Sequence, residues 1–486
     1  TDCVTRSRMT QTIRPAAAGA HGRDQLDAAR VVDELRGVFG TGVTKPLAWR
    51  TAQLTGLRRM LSEQEGALVE ALDADLGKHS TESWITELGY TSNEITHVLK
   101  QLKSWTRPRS APLPLWMRPA RAKVVREPLG VVLVISPWNY PVQLAVTPLA
   151  GALGAGNAVV LKPSELAPAT SATLARLLPR YVDPAAVRVV EGGVPETTEL
   201  LTQPWDHIFF TGNGAVGRIV LEAAARHLTP VTLELGGKSP AFVDEGVDLD
   251  TAARRIVWGK FTNAGQTCVA PDYVIATRPV LDALKPLLDK AIRDFYGEDP
   301  SQSDAYGRII NERHFGRISR LITHDHVVRG GGTDSESRYI EPTVLDGVDG
   351  DHLAMQEEIF GPILPLIEVS GVDAAVDFIN GRDKPLALYV FTSRGETKRR
   401  FIRDTSSGAL TFNAPLVHMG APSLPFGGVG ASGMGKYHGE ESIALFSHAK
   451  PVLDVPAKPD LLAAIYPPFT SITETLVRRF IAPPRR

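Results

Sequence analysis

Cys268 is one of two cysteines in the 486-residue chain and lies in the stretch NAGQTCVAP, Asn263–Pro271. A lone cysteine is more often an inert core residue than a nucleophile. Its neighbours argue the other way. Asn263, Gly265, Gln266 and Thr267 make a polar, flexible setting suited to a thiol that meets solvent, and a thiolate is a strong nucleophile. Two further residues carry chemistry such a nucleophile would need. Glu234 stands between two leucines in LELGGKSP, Leu233–Pro240, on what reads as a buried strand. A carboxylate there is costly unless paired, protonated or functional. Burial would raise its pKa, which suits a general base near neutral pH; the alternative is a structural Glu satisfied by backbone donors. Asn139 follows the apolar run GVVLVI in the proline-flanked turn ISPWNYP, Ile135–Pro141. Its amide could donate to a developing oxyanion, or it could be an ordinary turn asparagine.

Two segments point to a dinucleotide. FFTGNGAVGR places Gly212, Asn213, Gly214, Ala215, Val216 and Gly217 after a predicted strand and at the start of a predicted helix. Gly212, Gly214 and Gly217 have the G-x-G-x-x-G spacing that brings phosphate close to backbone and to a helix N-terminus. That fingerprint wants an acid about 20 residues on to hold ribose. Glu234 lies 234 − 217 = 17 residues after the last glycine, so one reading puts it on ribose rather than in catalysis. LKPSE, Leu161–Glu165, offers another pair: Lys162 and Glu165 at the carboxyl end of a strand, where ligands of open α/β sheets bind. The plain alternative is a solvated strand end with Ser164 capping a helix. The twelve histidines form no HExxH and no Cys/His cluster, so no metal is expected. Neither a P-loop nor G-x-S-x-G occurs, which argues against NTPases and α/β-hydrolases.

The elements that must position these residues are legible in outline. From Asp24 to about Trp105 apolar residues recur at helical spacing, in LDAARVVDELRGVF, in LTGLRRMLSEQEGALVEALDADLG closed by Gly77, and from Ser80 toward Leu102. Thr106–Gly130 is rich in Pro and Arg and reads as an extended excursion, a hairpin or a surface linker. From Gly130 short apolar strands alternate with helices, which predicts a doubly wound parallel sheet; a second α/β stretch runs from Lys238 to about Leu424, with strands at PAFVD, DYVIAT, GPILPLIEV and LALYVFTS. A chain this long predicts two or three domains. With Lys+Arg 53 against Asp+Glu 54, nothing points to nucleic acid. Two cysteines fit a reducing compartment, the N-terminal residues lack the apolar core of a signal peptide, and no apolar run approaches membrane-spanning length. A cytoplasmic protein is therefore expected. The C-terminal tail, with Arg478, Arg479, Arg485 and Arg486, could rest on a membrane surface; a docked or gating helix fits it better.

Taken in chain order, PWNYP, KPSE, FTGNGAVG, ELGGKSP, GQTC, EEIFGP (Glu357–Pro362) and LPFGGVGASGMG (Leu424–Gly435) resemble the aldehyde dehydrogenase superfamily. GQTCVAPDYV, PLALYVF, SLPFGGVGASGMGKYHG and YPPF resemble its class 3, fatty aldehyde dehydrogenase-like branch. The resemblance spans roughly Leu54 to Lys450. It implies two doubly wound α/β domains plus a small β oligomerisation element: residues 20–105 and 127–235 for the cofactor, 236–424 for catalysis, 106–126 with 436–455 as the arm, and 456–486 as a tail. It also implies that Glu234 is the base, Cys268 the nucleophile and Asn139 the oxyanion donor. Lys162 and Glu165 would hold ribose. Trp138 and Leu235 would line the cofactor cleft, and Glu358 and Phe360 would contact the nicotinamide end. His418 is placed in the substrate tunnel. The cofactor implied is NAD, with NADP as the alternative, the substrate is an aldehyde, and the assembly is a homodimer. Acyl transfer to coenzyme A and a non-catalytic structural role are the competing readings; Glu234 argues against the first, and Cys268, Glu234 and Asn139 together against the second.

Overall fold

Residues 26–460, 462–463 and 466–481 are described in the computed structural model; Cys3, Met9, Arg485 and Arg486 lie outside them. Five apolar runs form one parallel sheet. In spatial order they are Val231–Glu234, His207–Thr211, Val131–Ile135, Ala158–Lys162 and Val187–Val189. Side chains alternate across the sheet. Val131, Leu133 and Ile135 pack with Ala28, Val32 and Leu35 of the helix Ala28–Gly40. Val132 and Val134 face a second cluster that includes the fully buried helix Gln143–Ala155. Both faces are thus covered, which is why the strands are apolar throughout. Strand order reverses between Val131–Ile135 and His207–Thr211, and a crevice opens there at the carboxyl ends.

The chain then crosses to a second sheet within Leu235–Ser239. Its seven strands, in order, are Val327–Arg329, Thr343–Leu345, Ile363–Glu368, Tyr273–Ala276, Pro240–Val243, Ala387–Phe391 and Ala409–Phe412. All are parallel except Val327–Arg329. The carboxyl end of Val231–Glu234 therefore faces the amino end of Pro240–Val243. A third sheet is antiparallel: Arg109–Ala111, Arg121–Pro128 and Ser447–Asp454. The Pro-rich excursion is a hairpin whose long strand is completed by a much later segment.

Two expectations change, and one motif gains a place. The apolar period through LTGLRRM and on to Gly77 does not make one helix. Gln64 leaves helical dihedrals (φ −116°, ψ 21°) and divides it into Leu47–Glu63 and Glu65–Leu76, while its amide donates to the Tyr181 hydroxyl at 3.0 Å. The third helical stretch contains a π-helical turn, Trp84–Leu88. The glycine-rich LPFGGVGASGMG returns to the first sheet, where Gly433–Met434 pairs antiparallel with Glu234 and Leu233. The C-terminal segment carries the helix Ser471–Ile481, and no helix among the described residues is long and apolar enough to cross a membrane.

Asn157 joins three parts of this frame. It is fully buried; its carbonyl accepts from Gly130 N–H at 2.9 Å, and its amide donates to Ala152 O at 3.0 Å and Phe446 O at 2.9 Å. Asn157→Ala strands the Gly130 N–H and the Phe446 carbonyl, so it is expected to cost about 2–4 kcal/mol, read as a lower urea midpoint with an unchanged slope.

Candidate active site

The Cys268 loop is tied to the first sheet by side chains. Asn263 and Ala264 have left-handed dihedrals (φ 54° and 51°), a conformation that costs energy unless its surroundings hold it. They do hold it. Asn263 N–H donates to Glu82 at 2.9 Å, and its amide donates to Asn139 O at 2.8 Å and Gln266 O at 3.2 Å. The Gln266 side chain donates to Asn263 O and Arg308 O, both at 3.0 Å, and accepts from Ile310 N–H at 3.0 Å. Thr267 meets the Tyr140 hydroxyl at 2.6 Å. From the other side, the Asn139 amide donates to Gln266 O at 3.0 Å. Asn139 is thus brought within two residues of Cys268, with one amide N–H committed to the loop and the other unassigned.

Cys268 and Glu234 open onto one cavity of about 320 Å³, walled chiefly by apolar side chains such as Ile85, Leu144, Trp258, Leu416 and Phe426. Glu234 is buried, and neither carboxylate oxygen has a hydrogen-bond partner among the described residues. Burial alone pushes its pKa well above the carboxylate range. Burial likewise pushes the Cys268 thiol up to about 12, with the charges of Glu358 and Glu234 adding to the shift and backbone N–H donors opposing it. Glu358 rises to about 8, first by burial and then through Asp272. Burial thus favours the neutral form of both the Cys268 thiol and the Glu234 carboxyl.

The residues expected to hold a dinucleotide line the carboxyl edge of the first sheet. Lys162 Nζ donates to Pro163 O at 2.8 Å and to Glu165 at 3.3 Å. This ammonium and carboxylate at one strand end match the donors and acceptors of a sugar diol. Burial lowers the Lys162 pKa, opposed by Glu165, Glu196 and Glu191. Asn213 caps the helix Gly214–Ala225, accepting from Val216 N–H at 3.0 Å and leaving earlier first-turn amides for an anion. A side chain at Gly217 would press Leu235 at 3.2 Å and Leu233 at 3.5 Å, so this glycine lets the helix lie against the strand that ends in Glu234. Trp138 meets Phe360 edge-on at 5.3 Å and His314 at 5.0 Å. Glu358 lies directly on Gly236, where a Cβ would come within 2.2 Å of its carboxylate. The donor set fits NAD.

Cys268, Glu234, Asn139, Leu235 and Glu358 come together at the seam between the sheets; Lys162 and Glu165 stand at the neighbouring strand end. One placement is corrected. His418 is not in the cavity wall but against it: its ring stacks on the wall residue Phe426 at 6.2 Å, and burial lowers its pKa to about 4. Bulky neighbours Val417 and Met419 take the wall instead. Tyr437, Trp258 and Ile85 in the wall were not singled out from sequence, because single aromatic and aliphatic residues carry no signal there.

The sequence signature of the aldehyde dehydrogenase family matches residues 9–452. This chain belongs to the aldehyde dehydrogenase family. Its relatives include aldehyde dehydrogenase family 3 member A2 of Rattus norvegicus, 50% identical over 87% of this chain and 88% of the relative. The dimeric NADP-preferring aldehyde dehydrogenase of Mus musculus is 49% identical over 87% of this chain and 93% of its own length. Both place this aldehyde dehydrogenase in the class 3 branch. Its fold superposes on the substrate-bound AldH of Staphylococcus aureus with a TM-score of 0.91 and 42% identity, covering 94% of this chain and 100% of that one. The aldehyde dehydrogenase oxidises an aldehyde to a carboxylic acid with NAD or NADP.

Because burial disfavours the Cys268 thiolate, its alkylation by iodoacetamide in the cofactor-free enzyme should be slow at pH 7. It should speed up about tenfold per pH unit beyond pH 9, where an ordinary thiol levels off. The assay uses Cys3→Ser so that one thiol reports.

Proposed function

We propose that Cys268 is the nucleophile, Asn139 the oxyanion donor and Glu234 the hydrolytic base. The observation that carries this reading is the buried, unpartnered Glu234 carboxyl sharing an apolar cavity with the Cys268 thiol. Lys162 and Glu165 would hold ribose, the amides of the Gly212–Gly217 turn the phosphates, and Glu358, Phe360, Trp138 and Leu235 the nicotinamide end. When bound, the oxidised nicotinamide supplies the hydride acceptor and a positive charge beside the thiol. Cys268 Sγ, as thiolate, bonds the aldehyde carbon. The Asn139 amide and the Cys268 N–H hold the resulting oxyanion. Its collapse expels hydride and leaves a thioester on Sγ. Glu234 takes a proton from a water that attacks this thioester, releasing the acid and freeing the thiolate.

The enzyme is proposed to act in the cytoplasm as a homodimer. Residues 20–105 and 127–235 form its cofactor domain, 236–424 its catalytic domain, and 106–126 with 436–455 its arm. The exposed edge strand Ser447–Asp454 supports the assembly, as does the mouse relative's name, dimeric.

Wild type should form NADH from NAD and a medium-chain aliphatic aldehyde, and Cys268→Ser should not; turnover by Cys268→Ser removes the thiol from the mechanism. Glu234→Gln should release one equivalent of NADH per site and then stall as a thioester. In wild type kcat should rise with pH, since burial raises the Glu234 pKa and the base is its carboxylate form. Glu234→Gln should lose that rise. The Glu165 carboxylate would repel a 2′-phosphate, so initial rates should favour NAD; a clear preference for NADP overturns this.

A further inference from the structure

The Lys78–Glu87 ion pair belongs to no part of the site as described so far. Both side chains are fully buried, with Nζ and the Glu87 carboxylate 2.6 Å apart. A buried pair of this kind is weak support for stability, because desolvation offsets attraction; its use is better sought in what it orients. Beyond the ion pair and the nearby Glu82 carboxyl, its side-chain hydrogen bonds converge on residues 139–143. Lys78 Nζ also donates to Asn139 O at 3.3 Å and sits 4.3 Å from the centre of the Tyr140 ring. The other Glu87 oxygen accepts from Val142 N–H at 2.8 Å and Gln143 N–H at 3.1 Å, the entry to the helix Gln143–Ala155. Glu87 reaches them from the π-helical turn Trp84–Leu88, and such turns are frequent at functional sites. The pair therefore grips Asn139 and Tyr140 from below and Val142 and Gln143 from the helix side. Tyr140 passes the constraint on to Thr267, next to Cys268, and the Asn139 carbonyl is shared with the Asn263 amide.

We propose that the Lys78–Glu87 pair is a positioning device that sets the Asn139 amide against the Cys268 loop, so that acylation depends on it although neither residue reaches the substrate. This rests on the reading of Asn139 as the oxyanion donor. Misplacing a catalytic group by about 1 Å can cost about a hundredfold in rate.

The test is single-turnover NADH formation with enzyme in excess, comparing wild type, Lys78→Met/Glu87→Gln, Asn139→Ala and the triple variant. The paired substitution removes both charges of the pair together and keeps an acceptor for the helix amides. If it does not fold, Lys78→Gln/Glu87→Gln is read by the same outcomes. The paired variant should lose about ten- to a hundredfold in single-turnover rate while its NAD dissociation constant, from fluorescence quenching, stays within about twofold. Added to Asn139→Ala, it should bring little further loss. An unchanged single-turnover rate overturns the proposal, and so does a loss that persists in full beside Asn139→Ala. If Asn139→Ala itself acylates normally, the oxyanion reading fails and takes the proposal with it, an outcome distinct from the other two.

Discussion

Two loops from different sheets are fastened by a reciprocal pair of side-chain amides. Asn139 donates to the carbonyl of Gln266, and Asn263 donates to the carbonyl of Asn139. The catalytic geometry depends on this cross-link. The first sheet offers its carboxyl ends, where Lys162 and Glu234 end their strands and Trp138, Asn139 and Gly212 follow theirs. The second offers its amino ends: Cys268 precedes Tyr273–Ala276, and Glu358 precedes Ile363–Glu368. The short link Leu235–Ser239 fixes which ends meet, and the amides fix how closely.

The seam is electrically reluctant. A buried carboxyl, Glu234, stands near the half-buried Cys268 thiol and Glu358 carboxyl, and all three are displaced toward their neutral forms. Cations are held nearby but spent elsewhere. Lys238 pairs with Asp272 and donates to Ala354 O and Glu357 O, and Lys260 stands 3.7 Å from the same carboxylate. Asp272 in turn accepts from Ile359 N–H, so this charge cluster holds the segment that presents Glu358. The thiolate itself is left without a cation from the described part of the chain, which suits a site whose charge changes as ligands enter and leave.

Much of this could be read from residue order. The buried strands announced themselves as unbroken apolar runs, and Glu234 between two leucines was conspicuous because a carboxylate is expensive there. Spacing alone offered Glu234 equally to ribose, and only the ordered motifs separated the two roles. The edge strands of the second sheet were missed for physical reasons: Val327–Arg329 and Thr343–Leu345 are three residues long, and Ala409–Phe412 is only partly buried. Lys78 and Glu87 could not be paired from sequence, since one looks like a charge in a short inter-helix link and the other like a helix-surface charge until tertiary packing encloses them. His418 was expected in the tunnel; instead its ring stacks on the wall residue Phe426, while its neighbours Val417 and Met419 line the cavity.

The strand that ends in Glu234 has a neighbour made very late. Gly433 and Met434 complete the edge beside Glu234 and Leu233, and 434 − 233 = 201 residues separate Met434 from Leu233. At about 5–20 residues per second of synthesis, that edge stays open on the ribosome for roughly 10–40 s after Glu234 emerges. Long-range closure of this kind is slow to form and tempts a bare strand edge to pair elsewhere. The nascent first sheet is thus a period of vulnerability for the growing chain. A covered Glu234 strand is a property of the nearly finished polypeptide, so a prematurely terminated product would carry Cys268 with the Glu234 strand still uncovered.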